Sequence, residues 1–182
     1  MTSIVVFLKK QSAMSAVTIK NIAVIGGGLM GSGIVQVSAA AGLRVHLVDV
    51  KDDILKMAMV TIKKNVLRGF KKQIESNKID ESSANQEVEK IMARISCHQK
   101  AEDAVKDVDL VIEAATENLS LKHKIFAAID KAAPSHAIFA SNTSSIQIKD
   151  ICTAVDRTDR FAGLHFFNPV PVMKLLEVNQ SC

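Results

Sequence analysis

The chain has 182 residues, 48% apolar and 23% charged, enough to pack a core without disulfides or metals and too apolar to be disordered throughout. Its net charge of +4 is mild, and neither Trp nor Tyr is present to interleave with a basic run, so no nucleic-acid surface is expected. No apolar run reaches the length that spans a bilayer, so no membrane partner is expected either. The opening segment MTSIVVFLKKQSAMSAV is basic, contains serine and lacks acids. Mitochondrial presequences share that composition, although this segment has no Arg. Residues 1–19 therefore read as an extension or targeting segment, and residues 20–182 as one folded domain.

From Ile22 the pattern changes. Ile22 to Ile25 is a short apolar run closed by glycines, the signature of a buried parallel strand. Leu29 to Ala41 reads as a helix ending at Gly42, and Arg44 to Val48 as a second strand ending at Asp49. Between Asp52 and Asn77, the residues Ile54, Leu55, Met59, Ile62, Val66, Phe70 and Ile74 recur at helical spacing. A further helical segment runs from about Ser83 to Arg94, and the two together predict a helical hairpin inserted after the second strand. The alternation then resumes. Strands are expected at Ile95 to His98, Leu110 to Ala114 and Ala137 to Ala140, and helices at Leu119 to Ala132 and Ile148 to Ala154. Two last strands, Arg160 to His165 and Lys174 to Val178, flank the rigid Asn168-Pro169-Val170-Pro171. This order predicts an α/β fold, a Rossmann-type doubly wound, mostly parallel sheet.

Gly26-Gly27-Gly28-Leu29-Met30-Gly31 fits GxGxxG between a strand and a helix. Gly26 permits the tight turn, Gly28 lets backbone approach a pyrophosphate, and Gly31 lets helix and strand pack closely. The helix N-terminus at Leu29 and Met30 offers free N–H groups to phosphates. Asp49 lies 21 residues after Gly28, where an acid accepts hydrogen bonds from ribose hydroxyls and repels a 2′-phosphate. The expected cofactor is NAD rather than NADP.

His165 closes an apparent strand in GLHFFNP, and Glu177 lies on the next one in KLLEV. A carboxylate beside an imidazole fixes its tautomer and supports it as a base for removing a hydroxyl proton. The run Ser141-Asn142-Thr143-Ser144-Ser145 clusters donors at a strand end. It reads equally as a ligand for a substrate oxygen or as a turn and N-cap cluster. The cysteines Cys97, Cys152 and Cys182 have neither CxxC spacing nor a His at metal-ligand offset, and read as reduced intracellular thiols with no metal site.

VIGGGLMGSGI, TENL, FASNTSSIQI and RFAGLHFFNPVPVMKLLEV together resemble the short-chain L-3-hydroxyacyl-CoA dehydrogenases of fatty-acid β-oxidation, over Ile22 to about Val178. The resemblance implies NAD-dependent oxidation of an L-3-hydroxyacyl-CoA to the 3-ketoacyl-CoA. It implies His165 as general base, Glu177 as its partner, and Ser144 on the substrate oxygen near the nicotinamide. It places Glu117, Lys122 and Asn168 at the nicotinamide ribose or ring, Asp49 at the adenosine ribose, and Lys71 and Lys72 at the phosphates of coenzyme A. It also implies the mitochondrial matrix, with the cytoplasm as the alternative. Family members continue with a helical domain that supplies a further catalytic Asn and forms a homodimer. This sequence stops at Cys182, so low turnover is expected of it. Two other readings stay open: an NAD-binding or crystallin-like structural module, and a β-hydroxyacid dehydrogenase, which normally uses a lysine base.

Overall fold

The computed structural model describes residues 18–179 and Cys182. The presequence-like segment, residues 1–17, lies outside the described residues, as does the side chain of Lys72. Seven strands form one sheet: β1 (Asn21–Ile25), β2 (Arg44–Val48), β3 (Ile95–His98), β4 (Leu110–Glu113), β5 (Ile138–Ser141), β6 (Phe161–Phe166) and β7 (Leu176–Asn179). Their spatial order is β3-β2-β1-β4-β5-β6-β7. The first six are parallel, and β7 runs antiparallel to β6. The order reverses between β1 and β4, which opens a crevice at their C-terminal ends, the usual ligand site of such sheets.

Among the described residues six α-helices cover the two faces: α1 (Leu29–Ala40), α2 (Asp52–Glu75), α3 (Glu81–Met92), α4 (Ala101–Ala104), α5 (Leu119–Ala132) and α6 (Ile148–Cys152). On one face Ile22, Val24, Leu47 and Ile112 pack against Ile34 and Val35 of α1, Leu55 and Ile62 of α2 and Val88 of α3. On the other, Ala23, Ile25, Val111 and Phe139 pack against Phe126 and Ile129 of α5 and Ile151 of α6. Strands buried on both faces explain why β1 and β4 read as continuous apolar runs rather than alternating ones.

The helical hairpin is present, as α2 and α3 in the connection from β2 to β3. Leu55, Ala58, Ile62 and Val66 face the core, and Lys63 reaches Glu89 of α3 at 2.7 Å. α3 begins two residues before the expected Ser83, because Asp80 caps it: its carboxylate accepts from the Ser83 N–H at 2.8 Å and from the Ser83 hydroxyl at 2.7 Å. No described helix is long and apolar enough to cross a membrane.

Candidate active site

The glycine turn shapes the cofactor end of the crevice. Gly26 follows β1 with φ of 109°, and a Cβ there would stand 2.6 Å from the Ala114 carbonyl oxygen. At Gly31 a Cβ would lie 1.7 Å from the Gly26 carbonyl oxygen, so α1 can seat its first turn on the end of β1 only without that side chain. Over Gly28 a Cβ would meet nothing within 4 Å. This open face is bordered by Leu29 and Met30, whose N–H groups have no intrahelical partner by position. No acidic side chain sits in the first turn of α1, and no side-chain cap closes it. An anion is accommodated there by bare N–H groups and the positive end of the helix. Asp49, just past β2, accepts from the Gly27 N–H at 2.9 Å and from the Lys51 N–H at 3.1 Å, one through each oxygen. Each oxygen keeps a further lone pair for a ribose hydroxyl. The residues read from the fingerprint thus fit the adenosine and pyrophosphate of NAD.

A buried polar network lies across the crevice, at the ends of β4 and β5. Glu113, fully buried, accepts from Lys122 Nζ at 2.7 Å, from the Ala115 N–H at 2.7 Å and from the Ser141 hydroxyl at 2.6 Å. Lys122, only 1% exposed, also lies 3.3 Å from Glu117. Glu117 in turn accepts from the Thr143 hydroxyl at 2.9 Å and from the Ser144 N–H at 3.0 Å. Partial desolvation opposes ionisation of Glu117. The hydrogen bonds from Ser144 and Thr143, with the Lys122 charge, nonetheless hold its carboxyl below the ordinary value. The turn reading of the serine run holds for Thr143, and Ser144 is left at a cavity wall. The Thr143 hydroxyl accepts from the Ser145 and Ile146 N–H groups and shapes the turn, while Ser144 lines a cavity.

That cavity, about 270 Å³, is also walled by Gly163, His165 and Glu177. His165 and Glu177 are direct partners across the β6–β7 ladder, and His165 Nδ1 lies 3.0 Å from Glu177 Oε2. With the Nδ1 proton donated to the carboxylate, Nε2 keeps its lone pair. The Asn142 side-chain oxygen accepts from the Phe166 N–H at 2.8 Å, which fastens the serine loop to the strand that carries His165.

The structure thus brings His165, Glu177 and Ser144 to one cavity, with Glu117 bonded to the Ser144 backbone. Lys122 is placed behind Glu117 rather than on the cavity wall. Asn168, joined to Pro169 by a cis peptide, lines a neighbouring cavity of about 420 Å³ between α1, α2 and the Asn168–Val172 turn. Lys71 is exposed and pairs with Glu75 at 3.8 Å. The sequence reading missed Glu113. Its signal was a lone carboxylate inside a strand otherwise fit for full burial, where an acid persists only with a partner.

The family model described as "3-hydroxyacyl-CoA dehydrogenase, NAD binding domain" matches residues 21–181. The mitochondrial hydroxyacyl-coenzyme A dehydrogenase of Rattus norvegicus is 51% identical over 162 residues, which cover 89% of this chain and 51% of that protein. A probable 3-hydroxybutyryl-CoA dehydrogenase of Bacillus subtilis is 42% identical over 88% of this chain and 53% of its own length. Among solved structures, (S)-3-hydroxybutyryl-CoA dehydrogenase from Ralstonia eutropha superposes with a TM-score of 0.77 at 41% identity, covering 88% of this chain and 53% of that one. The chain spans about half the length of the curated relatives it matches. With its fingerprint, its sheet order and this match over nearly all its described residues, the chain belongs to the 3-hydroxyacyl-CoA dehydrogenase family, as an NAD-binding domain.

Proposed function

We propose that this chain takes part in the NAD-dependent oxidation of an L-3-hydroxyacyl-CoA to the 3-ketoacyl-CoA. The observation that carries the reading is the His165–Glu177 pair on the wall of the cavity that Ser144 also lines. The Gly26–Gly31 turn and Asp49 would hold NAD, which would supply the acceptor for the hydride of the hydroxyl-bearing carbon. His165 Nε2 takes the hydroxyl proton as the carbonyl forms. Glu177 holds the ring through Nδ1–H and stabilises the imidazolium that results. The Ser144 hydroxyl donates to the substrate oxygen, and Glu117 sets the Ser144 backbone from behind. Lys71 and Lys72 on α2 supply positive charge for the phosphates of coenzyme A, and Arg68 adds to it from the wall of the neighbouring cavity. A mitochondrial location is supported by the names of the rat and human relatives.

Glu177 is 61% exposed, so the pair works against water rather than in a dry pocket. Positioning can contribute roughly 7–11 kcal/mol to such a step, and a cavity this open supplies only part of it. Turnover by this chain is therefore expected to be slow beside that of the rat relative. Acetoacetyl-CoA reduction, followed as loss of NADH absorbance, tests the reading. A slow, saturable rate with the thioester and none with free acetoacetate is the expected result. Equal rates with both would favour a small-acid dehydrogenase, and no rate above background would contradict the proposal.

A further inference from the structure

A second cluster of chemically competent side chains lies at the far end of the sheet, on the face that carries α4. On β2 and β3, His46 stands opposite Ser96 in the ladder, with His98 two residues further along the same face. His46 Nδ1 and His98 Nε2 are 3.0 Å apart. The Ser96 hydroxyl lies 2.9 Å from the first and 3.1 Å from the second. Three donor atoms thus form a nearly equilateral triangle. At a metal–nitrogen bond of about 2.1 Å, a nitrogen separation of 3.0 Å subtends roughly 90° at the metal. That is the angle between neighbouring ligands of an octahedral or square-planar ion, whereas a tetrahedral ion at the same bond length needs roughly 3.4 Å.

The surroundings suit a ligand. The other nitrogen of His46, Nε2, faces Asp107 Oδ1 at 3.6 Å. A carboxylate behind a ligating imidazole fixes its tautomer and raises its strength as a ligand. Ser96 is exposed, which leaves an entry path and room for water ligands. No group of three or more His, Cys, Asp or Glu converges on a metal position among the described residues, so an ion held by the two imidazoles would need the Ser96 hydroxyl and water as its further ligands.

We propose that His46, His98 and the Ser96 hydroxyl form a facial binding site for a late first-row divalent cation of the Ni²⁺ and Cu²⁺ type, with Asp107 orienting His46. The bound ion clips β3 to β2, the strand that leads into Asp49. In the metal-free protein a proton on one of the facing nitrogens, or on the hydroxyl, bridges the pair. The ion replaces it, and His98 then carries its proton on Nδ1.

Isothermal titration of the metal-stripped 182-residue chain with Ni²⁺ tests the assignment. One equivalent is expected to bind more tightly than Zn²⁺. His98→Gln is expected to weaken Ni²⁺ binding by roughly tenfold or more, and Asp107→Asn by about tenfold. His136→Gln removes another imidazole–carboxylate pair, 3.3 Å from Asp109, and should change nothing. Should His98→Gln fail to fold, the X-ray absorption spectrum of the wild-type Ni²⁺ complex decides, with two imidazole ligands expected. Unchanged binding in a folded His98→Gln variant, an equal loss in His136→Gln, or a spectrum with fewer than two imidazoles would overturn the proposal.

Discussion

Asp49 performs two tasks with one carboxylate. It ties down the turn through the Gly27 and Lys51 N–H groups, and under the proposed function its remaining lone pairs take the adenosine ribose hydroxyls. Hydrogen bonds to a charged acceptor contribute about 1.5–3 kcal/mol each, so Asp49→Ala is expected to weaken NADH binding about tenfold or more. The same substitution removes the charge that repels a 2′-phosphate, so NADPH should lose less affinity than NADH. Fluorescence titration with both cofactors measures this, and an unchanged NADH-to-NADPH ratio would refute the selectivity argument. The expectation that Asp49 holds a ribose rests on its distance to Gly28, which is read directly from the sequence. The bond of Asp49 to Gly27 was not legible there, because that contact exists only once β1 and β2 lie side by side.

At the scale of elements, the ends of β4 and β5 and the start of α5 are joined by ions that water does not reach. Lys122 neutralises Glu113 and supports Glu117, and through Glu117 the turn that carries Ser144. Removing one partner of such a pair leaves an uncompensated buried charge at a cost of about 3–5 kcal/mol. Lys122→Met is expected to lower unfolding stability by that amount in urea titrations, and adding Glu113→Gln should recover part of it. A loss well below this range in the single variant would show that the network is incidental. Element positions were legible where an apolar run was closed by glycine, as in β1 and α1, and where helical periodicity ran long, as in α2. The start of α3 was misplaced because Asp80 looks like a loop residue until its bonds to Ser83 are formed. The four residues of α4 are too few to display any period. Glu113 was passed over for a related reason: pattern shows that a residue is buried, while its partner comes from a helix nine positions away.

For the molecule as a whole, the crossover from parallel to antiparallel pairing at the edge of the sheet brings the proposed acid–base pair together. Six parallel strands put the switch point of the sheet, the proposed cofactor site, between β1 and β4, and the reversal into β7 lays Glu177 directly across from His165. The motif made this pairing an expectation, and the register supplies its geometric reason. The central claim is that cofactor binding and proton transfer reside in separate parts of one sheet. Paired measurement of NADH affinity and acetoacetyl-CoA reduction in His165→Gln tests it most directly. The account predicts unchanged NADH affinity with turnover lowered about a hundredfold to ten-thousandfold, the usual contribution of a positioned acid–base group. Parallel loss of both, or turnover that survives the substitution, would contradict it.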